Sequence, residues 1–139
     1  MNHEHYMRRC IELAEEGLGS VAPNPLVGCV IVHDSKIIGE GYHEKFGSHH
    51  AEVNAINTVK NKSVLTKSIL YVTLEPCTMC GGALMWSQVS RIAYGAPDTK
   101  RGYTTVGMNI LHPKTRVVSG ILEKECSELL KKFFRKKRE

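Results

Sequence analysis

No part of the sequence is apolar for long enough to cross a membrane, and its first residues, Met-Asn-His-Glu-His, do not resemble a secretory signal. We therefore expect a cytoplasmic protein that has no membrane partner. Internal repeats and low-complexity segments are also missing, and 139 residues are enough for one hydrophobic core but not for two. The sequence predicts a single domain over residues 1–139.

Cysteine is too scarce for a disulfide framework. The chain has five cysteines, and Cys10, Cys29 and Cys126 each lie in an apolar-patterned segment. We expect these three to be buried, reduced thiols. The other two, Cys77 and Cys80, stand three residues apart. By itself this spacing fits a redox dithiol or half of a structural zinc site as well as a catalytic site.

Acidic residues are outnumbered, since 14 Asp and Glu stand against 19 Lys and Arg and give a net charge of +5. Six of the last nine residues are basic: Lys131, Lys132, Arg135, Lys136, Lys137 and Arg138. Such a run is typical of a solvated helix end, where cations complement the helix dipole. It would also suit a polyanionic partner, which is the second interpretation.

The hydrophobic pattern predicts helices and strands that alternate after an initial hairpin. Tyr6, Cys10, Leu13 and Ala14 recur at helical spacing, and so do Leu122, Cys126, Leu129 and Phe133. A rigid loop is expected at Pro23-Asn24-Pro25. The predicted helices are 2–18, 50–59 with Val53 and Ile56 as its apolar face, 76–87 and a C-terminal helix, and the predicted strands are 27–33, 36–42, 68–74, 91–94 and 116–118. This order indicates an α/β fold, a three-layer α/β/α sandwich on a mixed five-stranded sheet.

One imidazole and two thiols in this chain could hold a zinc ion. His50, Cys77 and Cys80 are zinc-ligand types, and three protein ligands leave the fourth position to water, as in catalytic sites. Zinc lowers the pKa of its bound water toward neutrality. Glu52 could then carry protons to a ring nitrogen and to a departing amine. The order His-Ala-Glu followed by Pro-Cys-Thr-Met-Cys resembles the zinc deaminases of bases and nucleosides, which implies one zinc per chain and a catalytic Glu52.

Local structure supports only part of this assignment. Pro76 suits the first position of a helix, which would place Cys77 and Cys80 on one face of the first turn. The positive end of that helix would favour their thiolates. His50 and Glu52 are two residues apart and do not share a helix face. Only the resemblance therefore indicates that both lie beside the metal. The neighbouring His49 is expected to be an exposed loop histidine.

The whole chain resembles the cytidine deaminase superfamily, and this implies the same sandwich fold with the zinc between two helices. Up to about Leu74 it is similar to the riboflavin-pathway enzyme that deaminates a phosphoribosylamino-pyrimidine. The similarity lies in APNPLVG at 22–28, GEGYH at 39–43 and HAEVNAI at 50–56. In that family the residues that match Asn24 and His43 line the substrate pocket, so the resemblance implies substrate binding by both.

From Leu74 onward the sequence is similar to the bacterial tRNA adenosine deaminase, which makes inosine at the wobble position and is dimeric. The similarity lies in EPCTMCGGAL at 75–84, KRGY at 100–103, LHPKT at 111–115 and the segment 125–138. Both families are only partly matched. The riboflavin enzyme has a long phosphate-holding loop where Thr78 and Met79 stand here, and the tRNA enzyme has asparagine in place of His43. The chain is either a recombinant joined near Leu74 or a single divergent lineage.

Three functions follow from these patterns. The first is hydrolytic deamination of adenosine to inosine in tRNA, supported by the short cysteine spacing and the basic tail. The second is deamination of the diaminohydroxyphosphoribosylamino-pyrimidine intermediate of riboflavin biosynthesis, supported by Asn24 and His43. The third is a non-catalytic zinc scaffold, in which Glu52 would have no role. The expected partners are therefore a tRNA anticodon loop or a small pyrimidine, together with a second copy of the chain.

Overall fold

The computed structural model describes residues 2–22 and 24–138. The α-helices in this part of the chain are α1 (His3–Glu15), α2 (Ala51–Thr58), α3 (Thr78–Ser87) and α4 (Glu123–Arg138). The strands are β1 (Gly28–His33), β2 (Lys36–Tyr42), β3 (Ile69–Leu74), β4 (Arg91–Ala96) and β5 (Arg116–Val118), and short 3-10 helices span Lys62–Lys67 and Tyr103–Val106. Pro23, which the sequence predicts to stiffen its loop, lies outside the described residues, as do the side chains of residues 135–138.

The strands form one mixed sheet in the order β2-β1-β3-β4-β5. Strand β1 pairs antiparallel with both β2 and β3, whereas β3, β4 and β5 run parallel. Successive strand residues alternate between two apolar clusters. Cys29, Ile31, Leu70 and Val72 pack in the cluster that includes α2 and α3, and Val30, Val32 and Tyr71 pack in the one that includes α1 and α4. The predicted three-layer sandwich on a mixed five-stranded sheet is confirmed.

The buried face of α2 agrees only in part with the predicted one. Val53 and Ile56 are only partly buried, and the fully buried residues are Ala51, Glu52 and Ala55. The reason is that α2 lies so close to β2 that only small side chains fit between the two. Ile56 does pack against the core that contains Ala51 and Ala55, as predicted, whereas Val53 is not part of that core. The periodicity of large apolar residues does not register alanines facing glycines, so the sequence pattern did not identify the two alanines.

The three cysteines outside the candidate metal site lie in the core. Cys10, Cys29 and Cys126 are free and buried, as expected for reduced thiols. Within residues 2–22 and 24–138, no helix has both the length and the apolar character needed to cross a bilayer.

The close approach of α2 to β2 predicts that Gly41→Ala will destabilise the protein. A methyl group at Gly41 would lie 2.5 Å from the backbone nitrogen of Ala55 and 2.7 Å from the carbonyl oxygen of Ala51, so the helix would have to move. We expect a loss of about 3 kcal/mol in the free energy of unfolding, measured by chemical denaturation. Gly82→Ala on α3 is the control, since nothing lies within 4 Å of its added methyl group. Equal stability of the two variants would contradict this packing.

Candidate active site

The starts of α2 and α3 form the walls of the site. His50 is the N-cap of α2, and Cys77 is the N-cap of α3, each with an extended backbone. Cys80 lies in the first turn of α3 and is buried. The chain therefore brings together at two helix N-termini the three residues that the sequence assigns to a metal.

Pro76 precedes the N-cap of α3 and does not occupy the first helical position, where the sequence predicts it. The cause is a contact with the loop after β4. The Pro76 carbonyl accepts a hydrogen bond from the Tyr103 amide at 2.8 Å, and Cys77 forms a bridge with Gly102. These contacts keep the backbone extended through Cys77, so the helix begins at Thr78. His50 also directly precedes its helix, which begins at Ala51, one residue after the predicted start.

The three candidate ligands have the geometry of a zinc site. The Nδ1 atom of His50 lies 3.6 Å from the Sγ of Cys77 and 3.4 Å from the Sγ of Cys80. All three ligand atoms lie within 4.8 Å of one another. Tetrahedral zinc with ordinary Zn–N and Zn–S bonds requires an N–S separation of roughly 3.6 Å. The donor set and its spacing therefore fit one zinc ion, with a fourth position left for water.

When no metal is bound, hydrogen bonds among the two thiols and the imidazole shift the pKa of all three groups. Hydrogen bonds from Cys80 and His50 lower the pKa of the Cys77 thiol to about 4. The same contact with Cys77, together with burial, raises the pKa of Cys80, and the bond to Cys77 raises the pKa of His50. Zinc binding would displace the remaining protons and leave two thiolates and a neutral imidazole as ligands.

Glu52 is a buried carboxyl group beside the ligands. Its side chain is 3 % exposed, and burial raises its pKa to about 7. A carboxyl group that exchanges its proton near neutral pH is suited to general acid and base catalysis. Glu52 also lines the cleft at this site, which has a cavity volume of about 70 Å³.

Asn24 and His43 line the same cleft as His50 and Glu52. The His43 Nδ1 atom donates to the His49 carbonyl oxygen at 3.1 Å, so the neutral ring presents Nε2 as an acceptor to the Asn24 amide at 3.2 Å. The His43 ring also lies edge-on to that of His50, with centroids 5.3 Å apart. The two predicted substrate-binding residues are therefore beside the metal ligands. His49 has an exposed side chain, as predicted.

Sequence reasoning missed three charged residues that line the cleft: Glu75, Asp98 and Arg101. Asp98 and Arg101 belong to the loop that follows β4, next to the loop that follows β3. Because ligands of open α/β sheets bind beyond the carboxyl ends of parallel strands, polar residues directly after β4 were the available signal. Glu75 gave no such signal, because it directly precedes Pro76 and Cys77 and resembles a part of the cysteine motif.

The family described as the cytidine and deoxycytidylate deaminase zinc-binding region matches residues 1–96, which include His50, Glu52, Cys77 and Cys80. The chain belongs to this deaminase family. The match covers both halves of the proposed metal site, and the donor geometry is the one that zinc requires. The protein is therefore a zinc-type hydrolytic deaminase.

Curated relatives of this deaminase include riboflavin-biosynthesis proteins and a tRNA-specific adenosine deaminase. It is 43% identical over 136 residues to the riboflavin biosynthesis protein RibD of Actinobacillus pleuropneumoniae, covering 93% of this chain but 36% of that protein. It is 37% identical over 145 residues to a diaminohydroxyphosphoribosylamino-pyrimidine deaminase of Buchnera aphidicola, covering 99% and 97% of the two chains. It is also 40% identical over 153 residues to the tRNA-specific adenosine deaminase of Haemophilus influenzae, covering 98% and 85%.

Solved structures that resemble the chain include proteins of both groups. RibD of Acinetobacter baumannii is 38% identical with a TM-score of 0.83, over 94% of this deaminase and 38% of that chain. A structure from work on A-to-I editing by tRNA:A34 deaminases at the wobble position is 28% identical with a TM-score of 0.73, over 91% and 99%. The chain thus spans about a third of the RibD proteins it matches and nearly the whole of the shorter relatives.

Proposed function

We propose that this deaminase converts adenosine to inosine in an unpaired RNA loop, with the anticodon loop of tRNA as the substrate. The observation that carries the proposal is a groove that continues the zinc cleft outward. Asn24, Pro25 and Arg101 line both the cleft and the groove. Lys100 and the α4 residue Phe134 line only the groove. A substrate that entered the cleft with its base could therefore extend along this surface.

Within the cleft, Glu52 would perform the proton transfers. A bound zinc would supply a hydroxide at neutral pH. Glu52 would take one proton from the attacking water and pass it to the ring nitrogen of the base. It would then take the second proton from the new C–OH group and deliver it to the amine, which leaves as ammonia as the C–N bond breaks. His50, Cys77 and Cys80 would hold the metal, and Asn24 and His43 would hold the base against it. The buried position of Glu52 keeps these transfers away from bulk water.

The groove has the features of a single-strand binding surface. Lys100 and Arg101 offer positive charge for the phosphates that flank the target base. Phe134, which is 42% exposed, offers a ring on which a neighbouring base can stack. Because the bases of an anticodon loop are already unpaired, placing one of them in the cleft costs less than flipping a base out of a duplex.

The second candidate substrate is the diaminohydroxyphosphoribosylamino-pyrimidine of riboflavin biosynthesis. It is favoured by the Asn24–His43 pair and by the Buchnera deaminase that carries this name and matches the chain over nearly its full length. Its ribose phosphate could also use Lys100 and Arg101. The short Thr78-Met79 connection between the cysteines counts against it, since only two residues stand where the sequence resemblance implies a phosphate-holding loop.

A second copy of this chain is the partner that we propose for α3. This helix carries no charged residue between Thr78 and Ser87. Its side chains Met79 and Trp86 are 64% and 79% exposed, and Met108 is 70% exposed. Exposed apolar surface of this kind is typical of protein interfaces. We also propose the cytoplasmic location that is expected from the sequence.

The proposed substrate predicts inosine formation in an anticodon stem-loop with a wobble adenosine. The zinc-loaded protein is incubated with this RNA, and inosine is measured by mass spectrometry with Glu52→Ala as the inactive control. The phosphoribosylamino-pyrimidine is assayed in parallel by ammonia release. Conversion of the RNA alone supports the first candidate, and conversion of the pyrimidine alone replaces it with the second. If neither reacts, both substrate proposals fail.

Arg101 is expected to make RNA binding sensitive to salt. Removing one phosphate contact should reduce the slope of log affinity against log salt by about 0.7 for a single strand. We expect this change for Arg101→Ala, measured by fluorescence anisotropy at several salt concentrations. Lys36→Ala is the matched control, because Lys36 lies at the β1–β2 turn, at the opposite end of the sheet. The same slope in both variants and the wild type would exclude this contact.

A further inference from the structure

Glu75 is a buried carboxylate that receives three hydrogen bonds from one loop. Its side chain is 4% exposed. One oxygen accepts from the Asp98 amide at 3.3 Å, and the other accepts from the amide and the hydroxyl of Thr104 at 3.1 and 2.7 Å. No ion pair with Glu75 is found among the described residues. The carboxylate is therefore stabilised by hydrogen bonds to this loop, and it does not act as a proton carrier in the mechanism above.

The loop that donates these bonds, residues 97–104, follows β4 and is called the β4 loop. It closes around Glu75 so tightly that a methyl group at Gly102 would collide with the carboxylate. Asp98 stabilises the turn inside the loop, since its Oδ1 atom accepts from the amides of Lys100 and Arg101 at 3.1 and 2.9 Å. The loop also touches the metal site, because Gly102 forms a bridge with Cys77.

We propose that Glu75 is a positioning residue that holds the β4 loop against the zinc cleft and so places Arg101 at the cleft wall. Both Asp98 and Arg101 line the cleft, and the Glu75 side chain bonds to the loop on either side of Arg101. A carboxylate is required because three donors converge on its two oxygens. A glutamine would turn its NH₂ group toward N–H or O–H donors at one of these positions. The loop-holding part of this inference stands on geometry alone, and its effect on substrate rests on the proposed function.

Hydrogen exchange tests the loop-holding role without any substrate. In the zinc-loaded protein, Glu75→Gln should raise the exchange rates of the Asp98 and Thr104 amides roughly tenfold, the factor equivalent to losing about 1.4 kcal/mol of charge-assisted bonding. Exchange in α1 and β1 should not change. Thr104→Val removes only the hydroxyl and should give a smaller increase, whereas Thr104→Ser should match the wild type. Unchanged exchange in the β4 loop, or faster exchange throughout the chain, would overturn the proposal.

Kinetics test whether Glu75 acts through Arg101. We expect Glu75→Gln to raise KM roughly tenfold with kcat within about twofold, because a misplaced loop weakens binding more than chemistry. In an Arg101→Ala background, Glu75→Gln should have no further effect on KM. Additive effects, or loss of zinc from Glu75→Gln, would contradict positioning through Arg101. If neither candidate substrate reacts while the exchange result holds, the proposed function fails and the role of Glu75 in the loop remains.

Discussion

Replacing Glu52 by glutamine is expected to lower kcat by about 10³-fold while one zinc per chain is retained. Glutamine has nearly the same shape and volume, so it can fill the buried position beside the metal ligands. It cannot accept a proton from water or donate one to the departing amine. The loss should therefore appear in kcat and kcat/KM together, as expected for an interaction made in the transition state. Zinc is measured by atomic absorption and turnover by inosine or ammonia release.

Glu44→Gln is the matched control for this substitution. Glu44 is an exposed carboxylate in the segment between β2 and α2, and it does not line the cleft. We expect its turnover to be that of the wild type, because it lies outside the proton path. If Glu52→Gln retained full activity, the proton shuttle assigned to Glu52 would be wrong. If the variant instead lost its zinc, Glu52 would have a role in metal binding that the geometry does not indicate.

The fold could be predicted from the sequence because its local patterns agree with each other. The apolar runs 27–33 and 68–74 and the helical spacing of Tyr6, Cys10 and Leu13 each specify one element. Their order then favours the sandwich. The prediction failed where a contact joins residues that are distant in the sequence and close only in the folded chain. Ala51 and Ala55 are more deeply buried than Val53 and Ile56 because the glycines of β2 allow the helix to approach closely, and no pattern within α2 indicates this.

The site shows the same limit. His50, Glu52, Cys77 and Cys80 were predictable because they form a motif that can be matched as a unit. Arg101 and the contacts of Glu75 were not, since Glu75 and Thr104 are separated by 29 residues and meet only once the β4 loop has folded. The start of α3 was misplaced for the same reason, because a distant amide, that of Tyr103, holds Pro76 outside the helix.

The geometry of the metal site also constrains the hypothesis that the chain is a recombinant of two deaminases. A junction near Leu74 would take His50 from one parent and both cysteines from the other. The 3.4 and 3.6 Å distances between these ligands, which fit zinc, would then cross the junction. A recombinant would therefore need parents with the same placement of α2 and α3. The recombinant hypothesis still predicts that residues before and after Leu74 overlay best on different families, and a uniformly intermediate backbone would favour a single lineage.

Removal of zinc is expected to abolish turnover and to lower the melting temperature. His50 and Cys77 are the N-caps of two different helices, and neither makes a side-chain cap hydrogen bond. A metal bound by both would join α2 to α3, and this link is lost in the metal-free protein. At a free zinc concentration of 100 times Kd, binding contributes about 2.7 kcal/mol. For a domain of this size the corresponding fall in Tm is about 9 °C.

The experiment compares the zinc-loaded protein with chelator-treated protein by calorimetry and by the deaminase assay. Added Zn²⁺ should restore both Tm and turnover, and Mg²⁺ should restore neither, because thiolate ligands disfavour a hard cation. Cys77→Ala should behave as the chelated protein does even with zinc present. Cys10→Ala should keep its metal, since Cys10 is a buried thiol outside the site. Turnover that survived complete removal of the metal would refute the zinc-dependent mechanism, because Glu52 alone cannot generate the hydroxide.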